Sequence, residues 1–155
     1  GLDKDGKNKK RLIYGGANVG LMEATAEHVK KHGGSITGII THRICDYGKA
    51  SRLPDELIRV DTLGERKQMM LDKADVFIAL PGGFGTLDEI FTVIAAGHLG
   101  YHDKKVVFCN TSGFYNLLIN QIELFYRERF ASPHYKNYYQ IATNAEECIR
   151  ILENF

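Results

Sequence analysis

With 20 basic and 19 acidic side chains in 155 residues, and a formal net charge of +1, the chain lacks the cationic excess of a nucleic-acid or membrane-surface protein. Its 44% hydrophobic content fits a single globular domain spanning 1–155 with a sizeable core. No run approaches the ~20 consecutive apolar residues of a membrane span, and no signal peptide opens the sequence. Cys45, Cys109 and Cys148 are far apart and form no C-x-x-C pair, so they read as free thiols. A cytoplasmic location is the default expectation.

In chain order, the basic cluster Lys7, Lys9, Lys10 and Arg11 reads as a solvated tail leading into a strand at Arg11–Tyr14. Val19, Met22, Ala26 and Val29 then step by three, four and three residues, one apolar face of a helix that Gly33-Gly34 stops. Further strands are expected at 35–40, 57–60, 76–80 and 105–110. The runs 76–80 and 106–109 are continuously apolar, the pattern of strands covered on both faces. Helices are expected at 64–73, 86–99 and 144–152, and through Phe114, Leu117, Leu118, Ile122 and Phe125. The 86–99 helix is apolar around most of its circumference, which predicts a second cover and hence a homodimer or larger oligomer. Alternation of strand and helix implies right-handed βαβ crossovers. The fold class is therefore α/β, Rossmann-like, a three-layer α/β/α arrangement with a parallel sheet, and ligands are expected beyond the carboxyl ends of its strands.

Both glycine-rich segments fall at such ends. Gly15-Gly16-Ala17-Asn18-Val19-Gly20 follows the first strand and precedes a helix. Its amides and the helix N-terminus suit a phosphate, and a plain strand-to-helix turn explains the loop equally well. It is neither a dinucleotide fingerprint nor a nucleoside-triphosphate P-loop, because the spacing differs and G-K-[ST] is absent. The second run, Pro81-Gly82-Gly83-Phe84-Gly85-Thr86-Leu87-Asp88-Glu89, places three glycines in four positions. Glycine costs up to ~1 kcal/mol per residue against alanine, and close approach of a ligand to the backbone explains the expense. Thr86 can add its hydroxyl to a phosphate site. Thr86-Leu87-Asp88-Glu89 also spells a capping box, with Glu89 folded back onto the Thr86 amide, and the acids would complement the helix dipole. Two glycine loops at equivalent strand ends favour the ligand-binding reading.

Other clusters read as structural. His28 and His32 share helical spacing but lack a third metal ligand. His98 and His102 are separated by Gly100, while Asp75 and Asp103 form turns and Tyr135, Tyr138 and Tyr139 pack. Neither a metal nor a cofactor is required.

The stretch Tyr14-Gly15-Gly16-Ala17-Asn18-Val19-Gly20-Leu21-Met22 resembles the pattern Y-G-G-[GA]-x-x-G-L-M. Arg66-Lys67 and the run 81–89 resemble the R-K and P-G-G-x-G-T-x-x-E elements of the same family. That family is LONELY GUY (LOG), the cytokinin-activating phosphoribohydrolases, often labelled lysine-decarboxylase-like. The resemblance extends over about 11–131. It implies a Rossmann-like fold, a usually dimeric protein, and hydrolysis of adenine-type nucleoside 5′-monophosphates to base and ribose 5-phosphate.

Carried over by position, Gly82, Gly83, Gly85 and Thr86 would hold the phosphate, and Glu89 and Arg66 would be catalytic. Gly16, Gly20, Met22 and Lys67 would lie near the nucleotide. The alternative is a nucleotide-binding carrier or regulatory module without turnover. The chain begins after the family's usual first strand and helix. Residues 41–51 also depart from the family's I-P-K-x-[LM] continuation and would line the base pocket. Pyridoxal-phosphate decarboxylation would need a Schiff-base lysine, which the charge-rich helical setting of Lys67 and Lys73 does not suggest.

Overall fold

The computed structural model describes residues 10–155, which divide into two compact units, the first ending at Ala74 and the second spanning 75–155. Each unit is a three-stranded sheet, parallel throughout, with helices packed on it: an α/β, Rossmann-like architecture, as the alternating pattern predicts.

In the first unit β1 (Arg11–Tyr14), β2 (Ser35–Thr41) and β3 (Glu56–Val60) pair in the order β1-β2-β3. The centre of β2 is fully buried, with Ile36, Ile39 and Ile40 closed off from solvent. Helix α1 (Gly20–Lys31) lays Ala26 and Val29 against Tyr14, Leu12 and Ile36. It ends where the sequence places the stop: Gly33 takes φ +73°, and the Gly34 amide donates to the Val29 carbonyl at 2.8 Å. Asp55 fastens the start of β3 to its surroundings, accepting from the Ile36 amide at 2.8 Å and from the Lys30 ammonium. The Lys30 contact, then the Ile36 bond, hold its carboxyl below the usual range. A short helix α2 (His42–Asp46), capped by the Thr41 hydroxyl, breaks the segment after β2 where no element was expected. His28 on α1 and His32 at its C-cap are exposed, each with Nδ1 against the carbonyl four residues back, as solvated helix-face residues should be.

Helix α3 (Leu63–Lys73) opens on a complete capping box. The Thr62 hydroxyl accepts from the Glu65 amide, and Glu65 returns a carboxylate oxygen to the Thr62 amide.

In the second unit β4 (Val76–Ala79), β5 (Lys105–Cys109) and β6 (Tyr139–Ala142) pair in the order β4-β5-β6. Only the central strand β5 meets the expectation of cover on both faces; β4 is an edge, and its Ile78 is exposed. The strand β6 was not foreseen, since Tyr-Gln-Ile-Ala is neither a continuous apolar run nor bounded by glycine. Helix α4 (Phe84–His98) buries Ile90, Val93, Ile94 and Gly97, whereas Phe91 and Ala95 stay exposed. Tyr138 packs onto Gly97 and Tyr135 stacks on His98 at 3.7 Å, so these tyrosines serve packing.

Helix α5 (Asn116–Arg127) buries Ile122, but Leu117 and Phe114 of its expected apolar face are exposed. Helix α6 (Ala145–Leu152) is capped by Asn144 and closes a core of Val107, Cys109, Ala142 and Cys148. Burial first, then the neighbouring Cys109 thiol, pushes the Cys148 thiol up to about 11, so it stays protonated and inert. Among the described residues, no helix is long and apolar enough to cross a membrane, and no group of three or more metal-ligating side chains could hold an ion.

Candidate functional site

The second glycine loop leaves β4 at Leu80, whose carbonyl accepts from the Tyr115 hydroxyl. Tyr115 is itself fixed by its amide, which donates to Asn110 Oδ1 at 2.7 Å, so the strand end is held from both sides. Burial raises the Tyr115 phenol above its ordinary pKa, with a backbone bond at Gly82 opposing, and it remains a neutral donor.

The helix begins two residues earlier than the sequence predicts, with Gly83 as N-cap and no side-chain cap bond. The first α-helical bond is Leu87 amide to Gly83 carbonyl at 3.1 Å. The amides of Phe84, Gly85 and Thr86 precede it and have no carbonyl within the helix. Because Thr86 lies inside the helix, the Thr86–Glu89 capping box does not form, and Asp88 and Glu89 fall beyond the first turn. Thr86 instead turns its hydroxyl back onto Gly82, where any Cβ would collide with it. A side chain at Gly83 or Gly85 would meet nothing within 4 Å, and neither residue has positive φ. The fold itself therefore does not require glycine at either position. Phe84, between them, is 95% exposed. The result is an uncapped helix start, open to solvent, with partial positive charge and a hydroxyl beside it: an anion cradle.

The first glycine loop is built differently. Gly16 (φ +69°) and Gly20 (φ +53°) adopt left-handed conformations that side chains resist, and Gly16 also abuts the backbone of β2. The Asn18 amide donates to the Lys49 carbonyl at 2.8 Å and Ser51 donates to the Gly16 carbonyl at 2.9 Å, while Ala17 bridges Ala50. Hydrogen bonding that a phosphate would use is partly committed to the segment 49–51. The loop is a stitched turn at this end, and it positions a neighbour.

That neighbour is Arg66, on α3 one residue after the capping Glu65, 9% exposed, with Nε donating to the Ile39 carbonyl at 2.9 Å. Its guanidinium lies where a Cβ on Gly15 would be, and Met22 Sδ is 3.1 Å from the same point. Gly15, Met22 and Arg66 are thus brought together, and Lys67 follows half-buried on α3. Sequence reasoning missed the dependence of Arg66 on Gly15. Alanine at Gly15 should force the guanidinium off the Ile39 carbonyl. Because the displaced atoms end a flexible side chain, the melting temperature should fall only slightly, by the equivalent of about 1 kcal/mol. An unshifted melting temperature would show that the placement of Arg66 does not depend on this glycine.

The structure thus presents a Rossmann-like α/β chain with an open loop-to-helix cradle after one strand and a buried arginine held by the glycine loop of another. The chain belongs to the LOG family: the family model described as possible lysine decarboxylase matches residues 22–152. A cytokinin riboside 5′-monophosphate phosphoribohydrolase of Arabidopsis thaliana is 39% identical over 93% of this chain and 63% of its own length. A probable enzyme of that name from Oryza sativa subsp. japonica is 34% identical over 95% of this chain and 65% of its own. The chain therefore spans somewhat less than two thirds of these relatives.

Among solved structures, the molybdenum cofactor binding protein of Rippkaea orientalis superposes with TM-score 0.64 at 26% identity, over 93% of this chain and 76% of that one. The molybdenum cofactor carrier protein of Chlamydomonas reinhardtii gives TM-score 0.67 at 20% identity, over 97% and 78%, a likeness of fold alone.

Proposed function

We propose that the chain hydrolyses the N-glycosidic bond of an adenine-type nucleoside 5′-monophosphate, releasing the base and ribose 5-phosphate. One observation carries this: the P-G-G-x-G-T-x-x-E run forms an uncapped, ligand-open helix start in a chain 39% identical to a named phosphoribohydrolase. Gly82, Gly83, Gly85 and Thr86 take the 5′-phosphate on backbone amides and a hydroxyl. As the bond from C1′ to the base nitrogen breaks, its electron pair leaves with the base and positive charge develops on the ribose. The Glu89 carboxylate stabilises that charge and orients the water whose oxygen bonds to C1′, while the proton that water gives up balances the one the departing base nitrogen takes on. By the family resemblance Arg66 is the second catalytic residue, and Gly16, Gly20, Met22 and Lys67 are further nucleotide contacts.

Incubating the chain with a panel of nucleoside monophosphates should yield free base and ribose 5-phosphate in equal amounts. A second reading, a carrier without turnover, draws support from the likeness to the molybdenum cofactor binding protein. Nucleotide bound but never cleaved would decide for it.

The reducing conditions suited to three free cysteines support a cytoplasmic location. Exposed Phe91, Ala95, Leu99 and Tyr101, on α4 and just past its end, support a homodimer or larger oligomer. Sedimentation at micromolar concentration should show it; a stable monomer would remove that assignment.

A further inference from the structure

The amides of the cradle can converge on an anion only while the backbone between β4 and α4 holds them in place. That stretch supplies few anchors of its own. The paired register of β4 and β5 runs to Ala79. Pro81 carries no N–H, and Gly82 and Gly83 have no side chains and wide conformational freedom.

Tyr115, the N-cap of α5, supplies a hold from the side. Its hydroxyl donates to the Leu80 carbonyl, and the Gly82 amide is turned to the same oxygen, near enough to offset part of the pKa rise that burial causes. One phenol therefore meets the chain on either side of Pro81.

The phenol is itself rigidly placed. Tyr115 is 2% exposed, and its ring meets Phe108 edge-on at 5.4 Å and Phe114 at 4.9 Å. Its amide donates to Asn110 Oδ1 at 2.7 Å, and the Asn110 amide donates to the Ala142 carbonyl at 2.7 Å. Phe108 lies in β5 and Asn110 directly follows it, so the hydroxyl is tied to the buried central strand of its unit. A buried tyrosine hydroxyl ordinarily finds some carbonyl. The carbonyl found here is the one that opens the cradle loop.

We infer that Tyr115 is a positioning residue for the phosphate: its hydroxyl fixes the backbone at Leu80–Gly82 so that the amides of Phe84, Gly85 and Thr86 are in place before the anion binds. The inference rests on the cradle reading for its ligand and lies wholly within the second unit. Without the hydroxyl, the anion has to order 80–83 itself, and that cost is taken from its affinity.

Inorganic phosphate titrated into the whole chain, followed through the backbone amide resonances of 84–86, reads the effect directly. Tyr115→Phe keeps the ring on Phe108 and removes only the hydroxyl. Its Kd for phosphate should rise at least about fivefold, the scale of one neutral hydrogen bond. Asn110→Ala frees the Tyr115 amide, leaves the phenol present, and should weaken phosphate in the same direction. A bond that served the fold alone would lower the melting temperature of both variants and leave the Kd of the folded chain unchanged.

An unchanged Kd in folded Tyr115→Phe would overturn the proposal. If that variant does not fold, an unchanged Kd in Asn110→Ala overturns it instead. Phosphate that leaves 84–86 unshifted in the unaltered chain marks a different failure: the cradle reading falls, and Tyr115 has no anion to position.

Discussion

Glutamine at position 89 should lower kcat by ~100-fold or more, the scale on which one electrostatic or general-base group contributes. Side-chain shape is preserved, so the nucleotide should still bind, and could bind more tightly once a negative charge near the phosphate is gone. Glutamine also serves in a capping box, so turnover and not stability is the discriminating readout. Gly83 is the N-cap and carries no side-chain bond, and Thr86 is already inside α4, so no cap is lost. The melting temperature of Glu89→Gln should therefore shift by the equivalent of less than about 1 kcal/mol. Normal turnover in this variant would remove the Glu89 carboxylate from the chemistry.

The second large effect concerns the phosphate. If the Phe84, Gly85 and Thr86 amides and the Thr86 hydroxyl grip it, adenosine should be processed at least ~1,000-fold less efficiently than its 5′-monophosphate. Two or three charge-assisted bonds at 1.5–3 kcal/mol each support that scale. Gly85→Ala isolates the cradle from the fold. Its Cβ meets no protein atom, its φ is ordinary, and alanine in a helix favours folding by up to ~1 kcal/mol. A chain at least as stable as the parent, with kcat/KM for the monophosphate reduced at least tenfold, is the expected result. Equal kcat/KM for adenosine and its monophosphate would remove the phosphate from the cradle. An undiminished Gly85→Ala would place it away from this glycine.

Periodicity and punctuation determined much of this protein. The 3-4-3 spacing from Val19 to Val29, stopped at Gly33-Gly34, defines α1, and the run Val106–Cys109 defines a strand buried on both faces, because burial of one stripe or two faces leaves a direct imprint on residue order. The glycine density of 82–85 marked a place where backbone must remain open, and Tyr14–Met22 with 81–89 carried the family. What the sequence could not settle were choices made by partners distant in the chain. Thr62-x-x-Glu65 and Thr86-x-x-Glu89 spell the same capping motif, yet only the first becomes a cap, since the true start of α4 is fixed by Gly83. Ile78 looks like core and lies on an edge strand. The strand β6 exists because β5 offers it a ladder. Gly15 must be glycine because Arg66, fifty-one positions away, crosses it to reach the Ile39 carbonyl. Local pattern records what each segment buries; tertiary packing alone decides which equivalent motif is used and which groups meet.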